Sequence, residues 1–162
     1  MMVSTSSERE IQAVFDELDR YEVPHDIISP NDVFSKRGRY IELYQLDKET
    51  EKLLDVLKEL PFDPVYMGVK LGEIVKGRFR PSLEFGSIIS QKAASNKVGL
   101  DTEHSQMFLF GRDIFKEHLP QGLSLGRKLV CDEDGEFLGY GIYNGRYLAN
   151  VIDKGAYLRK YD

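Results

Sequence analysis

The sequence predicts an α+β chain in two parts, an N-terminal α/β domain over residues 1–95 and a small β-barrel over residues 96–162. Three observations carry the prediction. Apolar residues recur at helical spacing around 11–18 and 53–60, between short strand-like runs. Ser95-Asn96 then forms a polar break. From Lys97 onward, glycines, turns and short strands follow one another at regular spacing over about 65 residues.

The first helix opens at Ser7-Glu8-Arg9-Glu10. The spacing is that of a capping box, in which the serine hydroxyl takes the third backbone N–H and the glutamate reaches back. Ile11, Val14, Phe15 and Leu18 supply its apolar stripe, and Pro24 and Pro30 bracket the break that follows. Asp32–Lys36 and Arg39–Gln45 read as strands joined at Arg37-Gly38. Asp47 is placed to cap a second helix with Leu53, Leu54, Leu57 and Leu60 on its inner face, stopped by Pro61 and Pro64. Val65–Val69, Leu71–Val75 and Phe79–Phe85 read as a β-meander, with Gly68, Gly72 and Gly77 at bulges or turns. Pro81 assigns the last run to an edge or a strand end. Ser87–Ala94 reads as a short helix with Ile88 and Ile89 inward. Beyond the break, Met107–Phe110 reads as a strand and Arg112–His118 as a short helix. Arg127–Cys131 and Phe137–Tyr143 form a hairpin around Asp134-Gly135. Leu148–Ile152 is a further strand, and Gly155–Tyr161 a short terminal element.

Composition sets the broad class. Hydrophobic residues make up 41% and charged residues 30%, enough apolar surface for burial to offset chain entropy. The one cysteine, Cys131, excludes an intramolecular disulfide and any multi-cysteine metal site, and suits a reducing compartment. The apolar run at Met107–Phe110 is far too short for a bilayer span, and MMVSTSSERE carries no secretory pattern. A cytoplasmic protein with no membrane contact and no cofactor is expected. Net charge is −5 with a pI near 5.3, which by itself argues against nucleic acid. The distribution is uneven, however. Residues 65–96 and residues 137–160 each carry a net +3, from Lys70, Lys76, Arg78, Arg80 and Lys92 in the first and Arg146, Lys154, Arg159 and Lys160 in the second.

Several constellations invite chemistry. Asp132, Glu133, Asp134 and Glu136 lack the glycine and glutamate positions of a calcium loop, so a hairpin turn is the better reading. Gly139-Tyr140-Gly141 begins like a dinucleotide fingerprint, but position 144 is Asn and a strand follows. Glycines that let a neighbouring segment approach account for it. His25, His104 and His118 have no ligand spacing with each other or with Cys131, and Cys131 sits mid-strand like a small core residue. No catalytic set emerges, and the chain is expected not to be an enzyme. Arg78 and Arg80 flank Phe79 and, by strand alternation, share one face, where two guanidiniums can hold phosphates or can cover apolar surface with their stems. Arg146, Lys154, Arg159 and Lys160 are interleaved with Tyr143, Tyr147, Tyr157 and Tyr161. Cations suit an RNA backbone and rings suit unpaired bases, while at least half of these tyrosines are expected to pack the barrel.

Several segments then fall into a known order. Lys97-Val98-Gly99 followed by Glu103-His104-Ser105-Gln106-Met107-Phe108-Leu109-Phe110-Gly111 is similar to the opening of the PUA domain in the ribosome-biogenesis family called Nip-seven. Leu138-Gly139-Tyr140-Gly141 resembles that family's Leu-Gly-aromatic-Gly strand. Met67 to Lys76 followed by Phe79-Arg80-Pro81-Ser82-Leu83 resembles a segment of its N-terminal half. The resemblance spans most of the chain and, from the compact length, is to the archaeal type. It implies a pre-PUA domain with an antiparallel sheet flanked by helices, joined to a PUA domain. It also implies a role in pre-rRNA processing and large-ribosomal-subunit assembly, ribosome assembly factors or exosome proteins as partners, and U- or AU-rich single-stranded RNA as ligand. Of the basic residues that archaeal members carry on the C-terminal strand region, Arg146 is matched, whereas Ala149 and Ile152 stand where further cations are expected.

The leading expectation is an RNA-binding assembly factor using Arg146, Lys154, Arg159 and Lys160, with Arg78 and Arg80 as possible additions. The alternative is a protein-interaction adaptor in ribosome or exosome assemblies whose RNA contact is incidental. An RNA-modifying enzyme ranks last, because the spacing shows no clustered acid, base or metal set.

Overall fold

The computed structural model describes residues 2–58 and 67–159. The chain divides into two compact units, one of Met1–Asp19 with Pro24–Phe85 and one of Arg20–Val23 with Gly86–Asp162. The expected break at Ser95-Asn96 lies in the connection between a helix ending at Ser90 and a strand starting at Lys97.

The first unit is built on a five-stranded antiparallel sheet in simple chain order: β1 (Met2–Thr5), β2 (Val33–Arg37), β3 (Ile41–Gln45), β4 (Val69–Val75) and β5 (Arg78–Pro81). Helix α1 (Glu8–Arg20) starts where the capping box predicts. The Ser7 N–H donates to Glu10 Oε2 at 2.8 Å, and the Glu10 N–H donates to Ser7 Oγ at 3.4 Å. Glu10 is itself buried and takes a 2.6 Å bond from Arg37 Nη2, so the glutamate half of the box carries more than the serine half. Val14 and Leu18 of α1 are fully buried. Helix α2 (Lys48–Lys58) is capped by Asp47, whose Oδ1 accepts the Thr50 N–H at 2.6 Å. Leu54 packs with Phe34, Tyr44, Leu46 and Met67, but Leu53 is 55% exposed and does not belong to the inner face. The side chains of Leu57 and Leu60 lie outside the described residues, as do Val65 and Tyr66.

Val69–Val75 is one strand, and the expected division before Leu71 is instead a bulge against Leu43 and Tyr44 of β3. The β4–β5 turn has Lys76 at φ 51° and Gly77 at φ 76°, the two positive angles of a type I′ hairpin. Pro81 ends the edge strand β5, as its missing N–H requires. The strand does not continue to Phe85. Ser82 caps a helix there, its Oγ accepting the Phe85 N–H at 3.0 Å and donating to the Lys70 carbonyl at 2.5 Å. Helix α3 therefore covers Leu83–Ser90, four residues before the expected helix at Ser87–Ala94.

The second unit is a curled half-barrel. Its strands are β6 (Lys97–Gly99), β7 (Ile114–Phe115), β8 (Gly126–Cys131), β9 (Phe137–Tyr143) and β10 (Tyr147–Asp153), in the order β6-β8-β9-β10-β7. Only β6–β8 is a parallel pair. The inner face holds Val98, Leu100, Phe108, Ile114, Val130, Leu138, Tyr143 and Leu148. The β8–β9 hairpin turns at Asp132–Glu136, where Asp132 Oδ1 accepts the N–H groups of Asp134 and Glu136 at 3.0 and 2.9 Å. The acidic run is thus a turn. Gly139 and Gly141 do admit a close neighbour: a Cβ on Gly139 would lie 2.7 Å from Asp153 Cα, and one on Gly141 2.8 Å from Leu148 Cδ1.

Two expectations fail here for one reason. Met107–Phe110 is the last turn of a helix, α4 (Thr102–Leu109), and not a strand. Asp101 caps that helix by accepting the His104 N–H at 2.9 Å. His104, Ser105 and Phe108 then face inward at helical spacing, and Gly111, at φ 79°, terminates it. With the helix placed earlier, Arg112–His118 is no helix. It holds β7 and a single 3-10 turn, Lys116–His118. Helix α5 (Ala156–Arg159) closes the described chain.

Candidate nucleic-acid interface

The expected basic residues do not form one cluster. Arg146 sits in the β9–β10 turn, and Lys154 and Arg159 follow the other end of β10, a strand of seven residues and thus about 20 Å long. Lys160 and Tyr161 lie outside the described residues.

At the first end, Asn144 shapes the turn. Its Oδ1 accepts the N–H groups of Arg146 and Tyr147 at 2.9 and 3.0 Å, an Asx-type geometry. Gly145 takes φ 94°, and the Arg146 side chain is presented to solvent. The Arg146 carbonyl accepts the Lys116 N–H at 2.9 Å, which brings a second exposed cation alongside. Among the described residues, neither Arg146 nor Lys116 has an acidic partner within ion-pair distance.

Strand pairing sets what lies next to them. Phe115 opposes Tyr147, and Ile114 opposes Leu148. Ile114 and Leu148 are buried in the core, so Phe115 and Tyr147 share the outer face. Phe115 is 57% exposed and meets the Tyr147 ring edge-on at 6.3 Å. On the same outer face Ile142 pairs with Ala149 on one side and with Arg127 on the other. The part of that face at Tyr140 and Phe137 is covered. A Cβ on Gly86 of α3 would stand 2.8 Å from the Tyr140 hydroxyl and closer still to the Phe137 ring.

The second end is built differently. Asp153 is fully buried and takes both arms of the Arg159 guanidinium, at 3.0 and 2.9 Å. Arg159 Nη1 also donates to the Leu109 carbonyl at the end of α4. Hydrogen bonding to Asp153 holds the Arg159 proton above its usual affinity. Arg159 is therefore committed to the fold. Lys154 is exposed, with its ammonium 5.6 Å from the centroid of the Phe137 ring. Of the tyrosines, Tyr143 is core, Tyr147 half-buried and Tyr157 exposed.

In the first unit, Arg78 and Arg80 are exposed on one face of β5, opposite Phe79, which packs edge-on against Phe85 at 6.4 Å. Arg80 stands across from Glu73.

Other titratable groups serve structure. Burial pushes the Cys131 thiol up to about 11. His104 is buried, bonded through Nδ1 to Asp101 at 2.8 Å and stacked on His118 at 4.2 Å. Lys128 is fully buried on neutral oxygens: Asn96 Oδ1 at 2.5 Å, Ser124 Oγ at 3.0 Å and the Leu125 carbonyl at 3.3 Å. Burial, and then repulsion by Arg20, lower its proton affinity. Among the described residues no three His, Cys, Asp or Glu gather as a metal site, and no helix is long and apolar enough to cross a membrane.

The sequence reading missed Phe115, Lys116 and Arg127. The first two lay in a segment read as helix, and a two-residue strand has no periodicity to betray it.

Comparison with known proteins agrees with this architecture. Residues 5–83 match the family model described as NIP7/UPF0113, pre-PUA domain, and residues 96–162 match that of the UPF0113 PUA domain. A UPF0113 protein of Archaeoglobus fulgidus is 32% identical, over 83% of this chain and 82% of its own length. The ribosomal RNA small subunit methyltransferase F of Vibrio parahaemolyticus is 27% identical over 55% of this chain, but over only 18% of its own length. Among solved structures, a conserved PUA domain protein of Thermoplasma acidophilum superposes with a TM-score of 0.61, at 14% identity and 99% coverage of both chains. A hypothetical protein of Pyrococcus horikoshii gives 0.58 at 15% identity, covering 94% of this chain and 96% of the other.

Proposed function

The chain belongs to the NIP7/UPF0113 family, and on that premise we propose that it binds single-stranded RNA through its PUA domain and acts in ribosome assembly. The observation that carries the reading is the Arg146–Lys116 pair, two exposed cations joined through their backbones with no acidic partner among the described residues. Such cations hold phosphates by releasing condensed counterions. The partial likeness to methyltransferases whose name places them on ribosomal RNA is in keeping with a module for that substrate class. Within this reading the protein works in the cytoplasm, on pre-rRNA of the large subunit and on U- or AU-rich stretches, beside other assembly factors or exosome proteins. It acts by binding rather than catalysis, in keeping with a buried thiol and a histidine engaged by its own helix cap. Lys154, and Arg78 and Arg80 on the other unit, are secondary contacts. Arg159 serves as a structural tie.

The test is a titration with a fluorescent U-rich single strand at two or more salt concentrations. Each lost phosphate contact flattens the log–log salt slope by about 0.7, so Arg146→Ala with Lys116→Ala flattens it by about 1.4 and weakens binding at low salt. Equal binding by wild type and the double variant rejects this surface. The adaptor reading draws on Phe110 and Leu158, 70% and 77% exposed, beside the Arg159 tie. It predicts protein partners that survive nuclease and are lost on Phe110→Ser with Leu158→Ser.

A further inference from the structure

We propose that the uncovered half of the outer face of the second sheet is a base-stacking surface, with Phe115 as the ring on which an unpaired RNA base lies. This inference rests on the RNA-binding reading and names the residue and the ligand feature that reading leaves open.

Three observations converge on Phe115. A phenylalanine in a two-residue edge strand whose other residue is 1% exposed has no core role of its own, yet it is 57% exposed and held in place. Its backbone pairs with Tyr147, and the Tyr147 ring braces it edge-on at 6.3 Å, which leaves a ring face for another partner. The surface beside it carries short apolar side chains. Ala149, two residues along β10 from Tyr147, adds only a methyl group, and Ile142 next to it gives an apolar floor. A planar base fits such a floor better than a protein side chain does, and every base offers a π face.

Charge selects the same occupant. Lys116 follows Phe115 directly, Arg146 precedes Tyr147, and Arg127 shares the outer face across Ile142. Asp113 and Glu117 are the exposed acids of this segment, Asp113 Oδ1 also accepting the Asn150 N–H at 2.9 Å, and the three cations outnumber them. Ring and cations are thus one residue apart on two paired strands, as a nucleotide presents its base and phosphate. Arg127 adds a half-buried guanidinium from the neighbouring strand, and the small Ala149 leaves room for the base. An added protein strand is the poorer occupant, because β7 offers an edge of only two residues.

The experiment uses the full chain and a short oligo(U) carrying one 2-aminopurine, whose fluorescence falls on stacking. Wild type is expected to quench it, and to bind the single strand in preference to a duplex of equal length, whose bases are already stacked. Phe115→Ala is expected to weaken binding about tenfold, within the range for one lost aromatic–base stack. It abolishes the quench and the single-strand preference, and leaves the salt slope unchanged. Phe115→Tyr restores all three. A melting curve for each variant establishes that the fold is intact, as an exposed side chain allows. If wild type binds and Phe115→Ala binds within twofold of it, or loses salt slope instead of quench, the stacking role is overturned while the RNA reading stands. If wild type binds no RNA at low salt, both are overturned.

Discussion

Replacing Gly139 by alanine tests the architecture of the second unit at its tightest point. Gly139 lies in β9 between Val130 and Asp153. Its φ is in the range any L-residue adopts, so the added methyl meets no backbone strain of its own. The obstacle is β10. The new Cβ would stand 2.7 Å from Asp153 Cα and nearer still to the Ile152 carbonyl oxygen. Both are main-chain atoms and cannot rotate away, so β10 must move outward. Overpacking of this kind costs roughly 1–3 kcal/mol, and outward movement strains the Asp153–Arg159 fork as well. Stiffening of the unfolded chain returns only roughly 0.4–1 kcal/mol. A net loss of roughly 1–2 kcal/mol lowers the melting temperature of a domain this size by about 5–10 °C. The control is Gly99→Ala, where the nearest atom to the new Cβ is the Asp132 carbonyl oxygen at 3.8 Å; its effect stays within about 0.5 kcal/mol. Scanning calorimetry of the two variants decides. A Gly139→Ala protein melting within 2 °C of wild type refutes the close approach of β9 and β10.

Other outcomes follow from the same structure. Lys128 binds its proton less tightly folded than unfolded. Its charge is buried at neutral pH, and the penalty is relieved as pH rises through its folded value toward the ordinary 10.5; stability of wild type relative to Lys128→Met, read by urea titration at pH 7 and pH 10, should rise across that window, and a flat or falling difference contradicts it. Cys131, with its thiol pushed up to about 11 and buried, should resist a thiol reagent at pH 8 until urea unfolds the chain, and rapid native labelling would count against its burial. Arg159→Ala strands the buried Asp153 carboxylate. It should lower the melting temperature while leaving the RNA salt slope unchanged, and a flattened slope would mean that Arg159 touches phosphate.

Much of the fold was legible because its signals are local. The Ser7–Glu10 box, the Asp47 cap and the Asp134-Gly135 turn each lie within a few residues, and each forms as read. The errors cluster where an apolar run is too short to show a period. Met107–Phe110 fits a strand as well as a helix, and only the Asp101 cap six residues upstream decides. The same holds at Ser82, whose capping role was hidden by the strand-like Phe79 before it. Parallel pairing of β6 with β8 left no trace in either segment. At the site, Arg146 was visible as an exposed turn cation. The tie between Arg159 and Asp153 was not legible, because burial of one acid in a mixed-charge tail has no mark in sequence. Phe115 owes its importance to Tyr147, thirty-two positions away, across a pairing that no local pattern encodes.

The strand order β6-β8-β9-β10-β7 places the two rims of the half-barrel on either side of one short helix in the chain. Helix α4, eight residues and about 12 Å of axial length, carries the chain from one rim to the other and seats Phe108 among Val98, Ile114 and Leu148. Adding one residue to it would turn its exit by about 100° and lengthen it by about 1.5 Å, enough to slide Ile114 out of its seat beside Leu148. The geometry of the solvent-facing rings is in this sense gauged by a segment lining the opposite side of the sheet.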